Sequence, residues 1–186
     1  KGAKTIDVDI LAREIVHPGG EVIKEIEKTF SKDMINSDGS LNRRKLAGIV
    51  FADEEQLIKL NAITHPALLE EVKSSLDDIN GSCGDSAVAV VDAAVLIEAQ
   101  MLPLCDYVIV PECGEEKRVE RIMLRDALTR ERAVERVRAQ KDISYFKAYA
   151  DFVVNTDGNI EDTMMQIDRI WDIICLTRNI PLKKGE

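Results

Sequence analysis

Ser86-Ala87-Val88-Ala89-Val90-Val91-Asp92 is a run of small and β-branched apolar residues that closes on an aspartate. A strand with apolar side chains at successive positions has no wet face, so it belongs inside a parallel sheet covered on both sides. Three other runs are similarly rich in Val and Ile: Thr5-Ile6-Asp7-Val8-Asp9, Asp106-Tyr107-Val108-Ile109-Val110 and Asp151-Phe152-Val153-Val154-Asn155. Between and after them the apolar spacing turns helical, at Leu57, Leu60 and Ile63, at Leu68, Leu69, Val72 and Leu76, and at Ile160, Met164, Ile167, Ile170, Trp171 and Ile174. Strand and helix in alternation predict an α/β fold of three layers, a parallel sheet with helices on both faces.

Two segments interrupt that rhythm. From about Pro18 to Asn80 the pattern is mostly helical and far longer than a simple crossover needs, with a turn at Ser37-Asp38-Gly39-Ser40. From Glu115 to Lys141 the chain is heavily charged, with Arg118, Arg121, Arg125, Arg130, Arg132, Arg136 and Arg138 among several glutamates. This reads as two helices meeting near Leu128-Thr129-Arg130-Glu131, with Thr129 placed to cap the second. The expected organisation is one domain with a core formed by residues 1–17, 86–112 and 146–178, a helical insertion at 18–85 and a charged lobe at 113–145.

Bulk composition narrows the function. The chain has 186 residues, 45% of them hydrophobic and 4% aromatic, enough for one core and too few for two full-sized domains. A net charge of −9 repels a phosphate backbone at long range and argues against a nucleic-acid partner, while leaving room for small anions bound where positive charge is concentrated. No apolar run approaches the roughly 20 residues of a membrane span, and Lys1-Gly2-Ala3-Lys4-Thr5 does not resemble a signal peptide, so a cytoplasmic protein with no membrane partner is expected. Cys83, Cys105, Cys113 and Cys175 show no C-x-x-C spacing and are expected to be reduced thiols.

Ligands of an open parallel sheet bind beyond the carboxyl ends of its strands. The first strand is expected to end in Asp7-Val8-Asp9, with Asp7 and Asp9 on one face about 6.6 Å apart. The second ends in Asp92, as in enzymes that hold the water shell of Mg²⁺ with a strand-end aspartate. A strand-end aspartate often only caps a helix or starts a turn; three on one edge favour a metal–nucleotide site. Arginines three and four apart among glutamates usually make a solvated, salt-bridged surface, yet an arginine on a mobile flap can also meet a transferring phosphate. Neither G-x-x-x-x-G-K-[ST] nor G-x-G-x-x-G occurs in the chain, and Gly81-Ser82-Cys83-Gly84-Asp85-Ser86 lacks the lysine and precedes a strand, so it reads as a loop.

Several stretches together resemble the dephospho-CoA kinase family. They are Ile6-Asp7-Val8-Asp9 through Val16, Asp38-Gly39-Ser40-Leu41-Asn42-Arg43-Arg44-Lys45-Leu46 through Asp53, Leu60-Asn61-Ala62-Ile63-Thr64-His65-Pro66, the segment from Asp92 to Glu98, Arg121 through Asp126, Leu128-Thr129-Arg130-Glu131, Ala139-Gln140, and Ala150 through Asn155. They run in family order over nearly the whole chain. The resemblance implies a P-loop kinase-type fold and a transfer of phosphate from ATP, with Mg²⁺, to the ribose 3′-hydroxyl of dephospho-CoA. It further implies that Asp9, with Asp7 beside it, faces the acceptor hydroxyl; that Arg13, His65, Asp92 and Glu98 belong to the acceptor pocket, Asp92 reaching metal only through water; that Arg121, Arg125 and Arg130 belong to a lid over the phosphates, Arg125 among the catalytic groups; and that Asn155 and Gly158 lie beside adenine. Without the resemblance, His65 reads as a helix-start histidine fixed by Pro66.

Where the family has Asp-x-Pro-Leu-Leu-Phe-Glu, this chain has Asp92-Ala93-Ala94-Val95-Leu96-Ile97-Glu98, which removes a proline and a ring from the acceptor side. The family's opening strand, glycine-rich phosphate loop and following helix are expected upstream, with Lys1 at the end of that helix. Two other readings are a related P-loop kinase acting on a nucleoside or small alcohol, and a non-catalytic remnant that binds CoA-like ligands.

Overall fold

Asp7 decides where the first strand ends. Its backbone is still extended, at φ −89° and ψ 106°, while its Oδ1 accepts the amide of Ile10 at 3.0 Å. That bond makes Asp7 a helix N-cap. The strand β1 therefore covers Lys4–Asp7 and helix α1 begins at once, over Val8–Glu14. The sequence predicts a strand as far as Asp9; the capping bond overrides that pattern, and Asp7 and Asp9 do not share a strand face. The computed structural model describes residues 1–83, 87–178 and 180. The chain divides into two units, Lys1–Leu104 and the part from Cys105 onward.

In the first unit β1 pairs in parallel with β2, Ala89–Asp92, in the register Lys4↔Ala89 to Asp7↔Asp92. Residues 84–86, the rest of the Gly81–Ser86 loop and the start of the expected second strand, lie outside the described residues; Gly81–Cys83 end a helix instead. The long segment before it is helical as expected: α2 at Glu21–Phe30, α3 at Arg43–Val50 and α4 at Glu54–Cys83. Ile23 and Ile26 bury one face of α2, and Lys24–Glu21 and Lys28–Glu25 pair on its wet face. The predicted turn is present, with Gly39 at φ +82° and the Ser40 amide on Asp38 Oδ1 at 2.9 Å. α1, α2 and α3 all pack on α4. The core they close includes Ile6, Val8, Ile26, Leu68, Val72 and Met101, of which Ile26, Val72 and Met101 have no exposure.

The second unit has its own parallel pair, β3 at Ile109–Glu112 with β4 at Phe152–Asn155. The strand expected at Asp106–Val110 begins three residues late, because the Val108 amide is held by Asp151 Oδ2 at 2.8 Å rather than by a ladder. The parallel strands thus stand as two pairs among the described residues, where the sequence predicts one sheet. The charged stretch forms α5, Glu115–Asp126, and α6, Arg130–Arg138, joined by a left-handed Ala127 at φ 51°. Val119, Ala133 and Val137 are buried between them. Thr129 does stand at the N-cap of α6, but its side chain makes no capping bond; its hydroxyl meets the Glu131 carboxylate. A short α7, Ile143–Lys147, precedes β4, and α8, Ile160–Thr177, follows it with Asn159 Oδ1 capping the Asp162 amide at 2.8 Å.

Candidate active site

The register of β1 and β2 sets Asp7 opposite Asp92, one strand spacing of about 4.8 Å apart at the carboxyl edge of the pair. Both are exposed. Helix α1 adds two more groups to the first unit. Asp9 lies in its first turn and Arg13 in its last, four residues apart, so they project from one helical face. Each suits the helix dipole at its own end. Among the described residues neither Asp9, Arg13 nor Asp92 has a side-chain hydrogen bond or ion pair, although Asp9 and Arg13 are within reach of one another in principle. Of the four, only Asp7 spends an oxygen on the fold.

His65 sits half-buried in α4 next to Pro66, and its Nδ1 lies 3.2 Å from the carbonyl oxygen of Glu98. A carbonyl can only accept, so Nδ1 carries the proton and donates. The bond fixes the ring and leaves Nε2 as the nitrogen not engaged by it. Sequence alone offers Pro66 as the constraint on His65; the structure adds the Glu98 segment, 33 residues away. Pro66 also lacks an amide for the carbonyl four residues before it, inside the helix. Between α1, α3 and α4 a groove of about 190 Å³ is lined mostly by apolar side chains, including Ala12, Val16, Leu46, Val50 and Leu60, together with Arg43, Thr64 and an 81% exposed Phe51. Arg43 is anchored there by Nη2 on the Arg13 carbonyl at 3.3 Å.

In the second unit the three arginines expected in a lid have different occupations. Arg121 donates from Nη1 to Thr156 Oγ1 at 3.2 Å and from Nη2 to the Thr156 carbonyl at 2.6 Å, tying α5 to the loop after β4. Arg125 makes a two-pronged pair with its neighbour Asp126, at 2.8 and 3.0 Å, and Arg136 of α6 meets the same carboxylate. The Arg125 hydrogen bonds, then the charges of both arginines, hold Asp126 below the usual carboxylate range. Arg130 pairs with Glu116 at 2.5 Å. Asp126 and Glu116 were not singled out by sequence reasoning, because a carboxylate in a mixed-charge run carries no mark of its partner.

The loop after β4 is almost fully self-satisfied. The Asn155 amide donates to Gln166 Oε1 at 2.9 Å and its carbonyl accepts from Gln166 Nε2 at 2.8 Å. The Thr156 amide goes to the Glu112 carbonyl at 2.8 Å, the Asp157 amide to Asn155 Oδ1 at 2.9 Å, and Lys117 caps the Asp157 carbonyl. The Asp157 carboxylate accepts the Gly114 amide at 2.8 Å and the Cys113 thiol at 3.3 Å; the Gly114 bond leads the influences that hold it below its ordinary pKa. What stays unengaged, among the described residues, is Asn155 Nδ2 and both backbone groups of Gly158. A Cβ at 158 would begin 2.8 Å from the Asp162 carboxylate, which would have to shift to admit it. Gln166, Lys117 and Asp157 are site neighbours that the sequence reading missed, though Asp157-Gly158 is a turn signal.

No group of three or more His, Cys, Asp and Glu among the described residues could hold a metal ion. Mg²⁺ keeps most of its water and is usually held by one or two carboxylates with substrate phosphates. Asp7 and Asp92 fit that outer role and do not form a cage.

Comparison with known proteins identifies the family. A family model described as dephospho-CoA kinase matches residues 1–162. The dephospho-CoA kinase of Carboxydothermus hydrogenoformans is 37% identical over 166 residues, covering 89% of this chain and 80% of that protein. That of Listeria monocytogenes is also 37% identical over 166 residues, with 89% and 82% covered. Among solved structures, TT1252 from Thermus thermophilus superposes with a TM-score of 0.75 at 25% identity, over 93% of this chain and 85% of that one. The dephospho-CoA kinase from Campylobacter jejuni superposes with a TM-score of 0.66 at 25% identity, with the same coverage. The chain belongs to the dephospho-CoA kinase family.

Proposed function

We propose that the protein transfers the γ-phosphoryl group of ATP to the ribose 3′-hydroxyl of dephospho-CoA, giving CoA and ADP, with residues 18–85 as the acceptor-binding insertion and 113–145 as the lid. The observation that carries the reading is the pairing of roles on α1: Asp9 and Arg13 stand on one face, unpaired among the described residues, beside the Asp7–Asp92 edge. An alcohol that attacks phosphorus must be aimed and must lose its proton late, and a positioned carboxylate can do both without being a strong base. The hydroxyl oxygen forms a bond to the γ-phosphorus as the β–γ bridging P–O bond breaks. Its electron pair leaves on ADP, and the proton passes to Asp9 and then to water. Arg13 and His65 Nε2 hold the acceptor, and the mostly apolar groove that Phe51 helps line accommodates its uncharged arm.

On the nucleotide side, Arg121 is a strut, and Arg125 and Arg130 are the lid cations. The Arg130–Glu116 pair is solvent-exposed and therefore exchanges readily for phosphate oxygens, and the Arg125 side chain, 72% exposed, can leave Asp126 to its second arginine, Arg136. Gly158 offers one donor and one acceptor, which complements an adenine amino group beside a ring nitrogen, with Asn155 Nδ2 as a further donor. Mg²⁺, when bound with ATP, would neutralise developing phosphate charge, and Asp92 would orient its water shell. No helix among the described residues is long and apolar enough to cross a membrane, and the substrates suit a cytoplasmic setting.

Full-length protein supplied with ATP, Mg²⁺ and dephospho-CoA should release ADP in step with CoA. ADP release without any need for the acceptor, or equal turnover of adenosine and simple alcohols, would overturn the assignment.

A further inference from the structure

We infer that Gln166 is a positioning residue for nucleobase selection, acting through Asn155; this rests on the proposed role of the Asn155–Gly158 loop beside adenine. Gln166 is partly buried on the second turn of α8. Its amide group meets both main-chain groups of Asn155, accepting at 2.9 Å and donating at 2.8 Å. A third bond, from Nε2 to the Asp162 carbonyl at 3.2 Å, anchors the side chain to its own helix. The pair of bonds to Asn155 is the pattern a neighbouring strand would supply, so one side chain finishes β4 where its ladder stops.

The consequence falls on two groups. Asn155 Oδ1 must point forward to receive the Asp157 amide at 2.9 Å, and that bond turns the chain into Gly158. With the Asn155 peptides clamped by Gln166, the side-chain amide has a single low-energy direction, Nδ2 outward. Gly158 then presents its N–H and C=O together. Adenine and guanine differ at the six-position, an amino donor in one and a carbonyl acceptor in the other. A fixed donor–acceptor pair rejects the wrong base because it leaves buried polar groups unmatched, while a loose loop rearranges to accept both. Arg121 and Lys117 fasten the same loop from α5, but through Thr156 and Asp157, and neither touches Asn155.

The test compares Gln166→Met, which keeps the volume and removes all three bonds, with Gln166→Glu, which keeps the acceptor and sets a carboxylate oxygen against the Asn155 carbonyl. In full-length protein both variants should raise the KM for ATP roughly tenfold and lower the ATP-over-GTP preference by a similar factor. The kcat and the KM for dephospho-CoA should stay within about twofold, and the Asn155 amide should exchange hydrogen faster. Changes of equal size in kcat and in both KM values would mean a merely structural residue and overturn the inference. If Gly158→Ala relaxes the base preference while both Gln166 variants leave it intact, the inference fails and the loop assignment survives. If Gly158→Ala is silent as well, the loop is not the base site and both fail.

Discussion

Asp7 and Asp92 stand opposite one another in the register of β1 and β2, so carboxylates from distant parts of the chain end side by side on one edge. They are not equivalent. Asp7 caps α1 through Oδ1, while Asp92 has no side-chain bond among the described residues. Asp9, one residue into α1, completes the set from the helix rather than from the strand.

That division predicts separable effects. Asp7→Ala should cost about 1 kcal/mol of stability through the lost cap, and Asp7→Asn, which can still accept the Ile10 amide, much less. Asp9→Asn should leave the melting temperature nearly unchanged and lower kcat by about 10²–10⁴-fold if Asp9 takes the acceptor's proton. Denaturant melts and steady-state kinetics on the same three proteins check both halves. An Asp9→Asn enzyme with ordinary kcat would remove Asp9 from the chemistry.

His65 offers a cleaner isostere test, because its two nitrogens have different duties. Asparagine can place a donor where Nδ1 sits, and glutamine one near Nε2. His65→Asn should keep the bond to the Glu98 carbonyl and with it the stability, while raising the KM for dephospho-CoA roughly tenfold. His65→Gln should lose about 1 kcal/mol of stability. The reverse order of melting temperatures would show that the Glu98 bond does not fix the ring.

How much of this was legible beforehand depends on which forces set each feature. The apolar run ending at Asp92 marks a parallel strand by its composition, and β2 does pair in parallel, but the cover expected on both faces is not seen: Val90 is 44% exposed. The mostly helical stretch after Pro18 was equally plain. Asp9 reads as a strand residue because Ile6-Asp7-Val8-Asp9 alternates, and alternation cannot reveal that Asp7 turns back to cap a helix. With the helix recognised, the four-residue spacing to Arg13 becomes a shared face. Gln166 carried no signal at all. Its partners are backbone atoms, and sequence does not record which main-chain groups lack a ladder.

The three arginines proposed for the lid should separate by occupation. Arg121→Ala breaks the strut to Thr156 and should loosen the loop after β4, raising the KM for ATP without abolishing turnover. Arg130→Ala removes only an exposed pair with Glu116, so the fold should hold while kcat/KM for ATP falls about 10²–10³-fold. Glu116→Gln should be nearly silent in stability and should not weaken ATP binding. A Glu116→Gln enzyme as poor as Arg130→Ala would mean that the pair itself, rather than a released arginine, matters to the reaction.

Asp157 makes the last prediction, and its sign follows from the direction of its shift. The Gly114 amide, then the Cys113 thiol, hold the folded carboxyl below its ordinary range, so folding favours the ionised form. A group depressed in this way stabilises the fold fully above its unfolded pKa, near 3.9, and loses that contribution as pH falls through the lower folded value. Asp157→Asn keeps an oxygen for the Gly114 amide and gives up the charge. The variant should therefore be less stable than the parent at pH 7, and the gap should close as the pH drops below about 4. Urea melts of both proteins from pH 7 down to 3 measure that gap directly. The KM for ATP should follow it, since the same carboxylate ties the start of α5 to the loop that carries Gly158. A gap that stays constant across the whole range would mean that the Asp157 charge plays no part in holding the loop.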